Sequence, residues 1–268
     1  MYFYKINNVL LHTNTFIMIK HLFISILLFL IVSISKGQDI YNTTSGEVIF
    51  GWSTARYNAP TDGSRLINGN AEGTINDAVR FTIWFHFSSS WHYDFSQRFG
   101  VYSGISNRNI GFITREMSTS VNEQTNLPYM VKWKRRSYAL GIPLALKIGN
   151  MEKGFYGFVG GQIEWLYHYK EKEFLDTGKR KYTEWASERT NMFLPSVFIG
   201  VAFPHGMSLK FTYALDNFMN KSYIDSSGGQ PYKYLDSRIM YFSFFKSIRW
   251  EKNTYEKQEK NHPKVAFL

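Results

Sequence analysis

GFYGFVGGQIEWLYHYK, residues 154–170, sets Phe155, Val159, Ile163, Trp165, Tyr167 and Tyr169 on one parity and Tyr156, Gln162, Glu164, His168 and Lys170 on the other. A period of two in hydrophobicity separates such sets only on a β-strand. Seven further stretches alternate in the same way, at 47–54, 79–95, 99–113, 137–149, 192–203, 207–216 and 237–250. The gaps between the eight stretches alternate from long to short. Residues 96–98, 150–153 and 204–206 read as tight turns, whereas 56–78, 114–136, 171–191 and 217–236 read as long, polar, mobile loops. A sheet in lipid cannot leave backbone donors unpaired, so the strands must close on themselves. The fold expected is an all-β, closed, antiparallel up-and-down transmembrane β-barrel of eight strands, short turns on the periplasmic side and loops outside.

Before these strands, Lys20 and His21 precede an apolar run, 22–34, that ends in Ser35, Lys36, Gly37 and Gln38. This pattern predicts a signal peptide over 1–37, with Met18 as initiator and a mature start at Gln38; the run is too short for a membrane anchor. Residues 38–250 then form the barrel and 251–268 a short basic periplasmic tail. The formal charge is +10, and removal of residues 1–37, which carry three lysines and no acid, leaves about +7. No nucleic-acid motif accompanies that charge, so anionic lipid headgroups are the expected counter-charge. The absence of cysteine excludes disulfides, thiolate metal sites and a cysteine nucleophile. Aromatics make up 18% of the chain and gather near strand ends, as interfacial girdles do.

Residues 138–147, YALGIPLALK, resemble a strand common in small outer-membrane barrel proteins of Bacteroidota. In plan the chain is similar to barrels of the OmpX and OmpA membrane-domain type, and it more distantly resembles the PorT-like family linked to protein secretion. The resemblance implies an outer-membrane location and handling by the barrel-assembly machinery, and it assigns no activity. Pro143 and Pro195 each remove a ladder donor and predict a bulge or a strand end there.

The inner face of the second strand is expected to hold Arg80, Thr82, Trp84, His86, Ser88, Ser90, His92 and Asp94, and the fifth adds Gln162, Glu164 and His168. Ser, His and acid in one lumen allow a hydrolase. A narrow barrel filled by hydrogen-bonded side chains explains the same residues without one. The histidines lack metal-ligand spacing, and no cofactor is expected. Two basic clusters, Lys132, Lys134, Arg135, Arg136 and Lys179, Arg180, Lys181, fall in the outer loops, where phosphates of lipopolysaccharide could meet them. The expected function is therefore that of a non-enzymatic outer-membrane barrel acting in envelope structure or through its loops. A secretion component, a small channel, a lipid-modifying barrel enzyme and a soluble lipocalin-like barrel with its faces reversed are the alternatives.

Overall fold

The computed structural model describes residues 39–58, 76–121 and 128–250; the expected signal peptide and tail lie outside these. Thirteen strands follow in chain order: β1 (Asp39–Ser53), β2 (Arg56–Tyr57), β3 (Asn76–Ala78), β4 (Arg80–Thr82), β5 (Phe87–Asp94), β6 (Phe99–Val121), β7 (Pro128–Asn150), β8 (Phe155–Leu175), β9 (Gly178–Trp185), β10 (Phe193–Ala202), β11 (Met207–Ala214), β12 (Leu235–Asp236) and β13 (Ile239–Trp250). Antiparallel pairing runs β1, β5, β6, β7, β8, β10, β11, β13 and back to β1, a closed ring of 8 strands with no free edge. Closure at β13 against β1 is long, from Asn42 opposite Trp250 to Ser53 opposite Ile239.

Alternation sorts the side chains. On β7, Leu140, Ile142, Leu144, Leu146 and Ile148 face outward and are exposed, while Ala139, Gly141, Pro143, Ala145 and Lys147 face the lumen and are buried. Val197 and Ile199 on β10 and Phe242, Phe244 and Ile248 on β13 continue the apolar exterior. At ~3.4 Å per residue and a tilt of ~40°, 140–148 spans about 21 Å, close to the ~25 Å apolar band of outer-membrane barrels. An uninterrupted apolar wall of that extent is unsuited to water. The polar face is inside, which overturns the lipocalin-like alternative.

The strands differ from expectation in ways that have local causes. β1 starts eight residues before 47 because the polar Asn42, Thr44 and Gly46 take outward positions that no hydrophobic alternation marks. The second stave, expected to be continuous over 79–95, is split into β4 and β5, and Phe85 stands at φ 65° with Trp84 72% exposed instead of in the lumen. Side chains replace the lost ladder: the Asn109 backbone N–H donates to His86 Nδ1 at 3.2 Å, and Arg80 donates to the Asn109 carbonyl at 2.8 Å and to Asn109 Oδ1 at 2.6 Å. Each proline stays in register with β8, Pro143 with Gln162 and Pro195 with Ile163, so neither makes the expected bulge, and pairing lapses only on its other side. β6 and β7 are in register at Ser103 with Leu144 and again at Ser106 with Gly141, and between these pairs the Ser103 hydroxyl donates to the Pro143 carbonyl at 2.8 Å. Pro195 precedes Ser196, where pairing of β10 with β11 begins.

Two of the expected loops are strand. β6 and β7 run on to Val121 and Pro128, and β8 turns at 176–177 into β9. The segment 217–236 is also no free loop: Phe218, Met219, Tyr232 and Leu235 are buried against Ile49, Phe112, Leu166, Leu194 and Ile239 and cap the lumen at the loop end. The Ser237 N–H donates to Asn217 Oδ1 at 2.7 Å and the Met219 N–H to the Ser237 hydroxyl at 3.0 Å, which tie the cap to the wall.

Candidate functional site: lumen and outer face of the loop-end hairpins

Three tiers of ion pairs cross the lumen. At the turn end Lys147 pairs with Asp94 and donates to the Tyr41 hydroxyl at 3.1 Å. In the middle Arg108 reaches Glu47 at 2.7 Å and Glu164 at 3.2 Å, Lys210 reaches Glu47 at 3.3 Å, and Gln162 bridges Arg108 to the Tyr241 hydroxyl. At the loop end Arg135 holds Glu116 at 2.5 Å and Glu171 at 3.1 Å. Each charge is buried, so each needs its partner. The cavity left between the lower tiers is about 40 Å³, room for little more than a water molecule.

The two lumen histidines His86 and His92 are held by hydroxyl, ammonium and backbone groups. His92 faces Thr43 through Nε2 and Lys147 through Nδ1, and His86 faces Thr82 and the Asn109 N–H. A catalytic triad needs a carboxylate at Nδ1, and neither ring has one. Among the described residues no group of three His, Asp or Glu side chains could hold a metal ion.

β8 changes parity on the way to the loop end. Tyr138 pairs with His168 and Ala139 with Leu166, so Tyr167 is an extra residue, a β-bulge. Above it Tyr169, Glu171 and Glu173 are buried, and His168, Lys170 and Lys172 have moved to the outer face. Tyr169 therefore leaves the apolar exterior to which its spacing assigned it, and His168 and Lys170 leave the lumen. The bulge separates charge by sign. Registered side by side on the outer face are Arg115, Lys132, Lys134, Arg136, Lys170, Lys172, Lys179 and Lys181, and no carboxylate shares that face among the described residues of these strands. Lys132 and Lys179 lie over the Phe174 ring at 5.7 and 5.5 Å. Glu116, Glu171 and Glu173 all point inward and are buried.

Five of the seven cations selected from sequence, Lys132, Lys134, Arg136, Lys179 and Lys181, thus stand together. Arg135 and Arg180 do not: Arg135 is locked in the loop-end tier, and Arg180 pairs inward with Glu173 at 3.1 Å. Arg115, Lys170 and Lys172 were missed. The alternation of sign in Lys170, Glu171, Lys172 and Glu173 is the signal that would have found two of them.

Beneath the basic face lies a belt of rings: Tyr138 stacks on His168 at 5.6 Å, His168 meets Trp185 at 4.5 Å, and Tyr167 meets Trp185 at 5.8 Å. Such a girdle marks the upper limit of the apolar band. Above it, partial burial first and then the charges of Arg80, Arg136, Lys172 and Lys132 push the Lys134 ammonium down to about 8. Lys172 is lowered for the same two reasons. Since the unfolded chain holds the Lys134 proton up to about 10.4, charged Lys134 opposes folding below pH 8, and that opposition is relieved as pH rises from 8 to 10.4. The barrel is expected to gain stability over this window and Lys134→Met to gain less, read from thermal unfolding in zwitterionic detergent; superimposable profiles would refute the crowding of cations there.

No protein-family model matches the chain and no curated protein matches it. Among solved structures it is similar to Neisserial surface protein A, at 10% identity and TM-score 0.33 over 80% of this chain and 100% of that one. It is also similar to OprG from Pseudomonas aeruginosa, at 10% identity and TM-score 0.34 over 78% and 95%, and to Ail of Yersinia pestis, at 14% identity and TM-score 0.29 over 77% and 98%.

Proposed function

We propose that this chain is a non-enzymatic integral outer-membrane barrel whose outer basic face engages the phosphates of lipopolysaccharide, and that it serves envelope structure through that contact. The observation that carries the reading is the sorting of charge by the bulge in β8, which leaves cations alone on the surface just above the aromatic girdle. A solvated hairpin gains nothing from such sorting, because mixed signs on both faces would lower self-repulsion. Phosphate at this level relieves it. The lumen supports a structural role and not conduction, since Arg108 reaches both β1 and β8 and the space beside it is about 40 Å³.

Substituting Lys132, Lys134, Lys179 and Lys181 by Gln leaves the ion-pair tiers untouched. In vesicles containing lipopolysaccharide the wild-type barrel is expected to unfold at a higher temperature than in phosphatidylcholine, by a margin that shrinks with salt. The variant should lose most of that margin, at about 1 kcal/mol for each cation withdrawn. An undiminished margin in a variant that keeps its heat-dependent gel mobility would refute phosphate binding here.

A further inference from the structure

The bulge that exposes the cations also opens a groove. At Leu166 β8 leaves β9 for β10, and Ala186, at φ 45° with its N–H donating to the Tyr167 carbonyl at 2.9 Å, turns the chain away from the wall. The space left on the outer surface measures about 610 Å³ and is bounded by Phe87, Leu140, Trp165, Tyr167 and Trp185. That size is in the ~300–1,000 Å³ range of sites that take one small ligand. The two polar groups at its floor are already engaged: the Tyr167 hydroxyl donates to Asn107 Oδ1 at 2.9 Å, and Asn107 Nδ2 donates to the Phe85 carbonyl at 3.3 Å. Nothing at the floor asks for a polar ligand. Its walls are rings held by one another, Trp165 on Tyr167 and Tyr167 on Trp185, each at 5.8 Å.

Position decides the occupant. The groove lies across the girdle, with its lower part in the apolar band, and the next outward positions above Tyr138 and His168 are Arg136 and Lys170, which register with each other. Successive outward positions on a strand are about 7 Å apart. The Arg136 guanidinium already lies 6.0 Å from the Tyr138 ring. An amphiphile with a phosphate at Arg136 and Lys170 therefore has its first acyl chain at the groove. We infer that this groove seats one acyl chain of a phosphorylated glycolipid, lipid A, so that the basic face and the groove form a defined single-lipid site. This rests on the phosphate reading above and adds to it a stoichiometry and a chain-binding surface.

The test is retention of lipid by detergent-purified, heat-modifiable barrel through size exclusion, with native mass spectrometry as readout. The probes are bisphosphorylated lipid A, the same molecule dephosphorylated, and phosphatidylglycerol. Wild type is expected to retain one lipid A. Leu140→Trp, which fills the groove from a lipid-facing position, should weaken retention by about tenfold, the equivalent of some two methylenes left unburied. Leu144→Trp, outward on the same strand but below the groove, should retain lipid A as wild type does. Equal retention by Leu140→Trp and wild type, or none by wild type, would overturn the groove. If Leu140→Trp lost both forms of lipid A while wild type held the dephosphorylated form equally, the groove would stand and the phosphate reading would fall. Equal retention of phosphatidylglycerol would overturn lipid A as the occupant.

Discussion

Arg108→Met is expected to lower the unfolding free energy of the barrel in lipid vesicles by about 3–5 kcal/mol, the usual cost of leaving a buried charge without its partner. Arg108 is nearly fully buried, as are both of its carboxylate partners. Its loss leaves Glu47 with Lys210 alone, at 3.3 Å, and leaves Glu164 without a cation in contact. Arg108→Lys should cost less than Arg108→Met but remain destabilising, because an ammonium cannot present the fork that reaches Glu47, Gln162 and Glu164 together. The double change Arg108→Met, Glu164→Gln should recover much of the loss, since it removes the orphaned carboxylate and leaves Glu47 paired with Lys210. Urea titrations followed by tryptophan fluorescence measure this. Arg108→Met as stable as wild type would show that the middle tier does not hold the wall.

The second large effect is at the cap. Phe218 is fully buried and meets the Phe112 ring edge-on at 5.7 Å. Phe218→Ala should cost about 3–5 kcal/mol through the cavity left behind. The loss falls on the cap and not on the ring of strands, because no residue of 217–236 takes part in the pairings of that ring. Hydrogen exchange should therefore quicken across 217–236 and leave β7 and β8 protected, and proteases should nick that segment in the folded barrel. Conductance should stay closed even so, because the Arg108 tier lies beneath the cap. Protection in 217–236 equal to wild type would contradict the cap's dependence on Phe218.

The ring was legible in the sequence wherever lipid is the outer solvent. On β7 from Tyr138 to Lys147 and on β8 from Phe155 to Trp165, apolar-out and polar-in alternation gives both the strand and its facing, and the three short turns bound the staves. Above the girdle the solvent changes and so does the code. The β6–β7 and β8–β9 hairpins are charged on both faces, with Lys alternating with Glu over 170–173 and Lys132, Lys134, Arg135 and Arg136 crowded on β7, which hydrophobic periodicity reads as loop. The bulge at Tyr167 was invisible for a related reason: Tyr167 and Tyr169 are both aromatic, so the outward stripe continues across the point where parity reverses. The split in the second stave was marked only by Trp84 on the polar parity of 79–95, and the substitute for its ladder is made by Arg80 and His86 side chains that no local pattern announces. The cap was hidden by composition, since 217–236 is mostly polar and its four buried hydrophobic residues, Phe218, Met219, Tyr232 and Leu235, follow no period.

The most direct test of the central claim, a closed barrel with a lipid-facing exterior, is to express the full chain, isolate outer membranes and compare boiled with unboiled samples on a denaturing gel. The closed ladder from β1 to β13 and the apolar wall predict a membrane-retained band that runs at one mobility unboiled and shifts on heating. A soluble periplasmic product with no heat-dependent shift would contradict both the insertion and the closure.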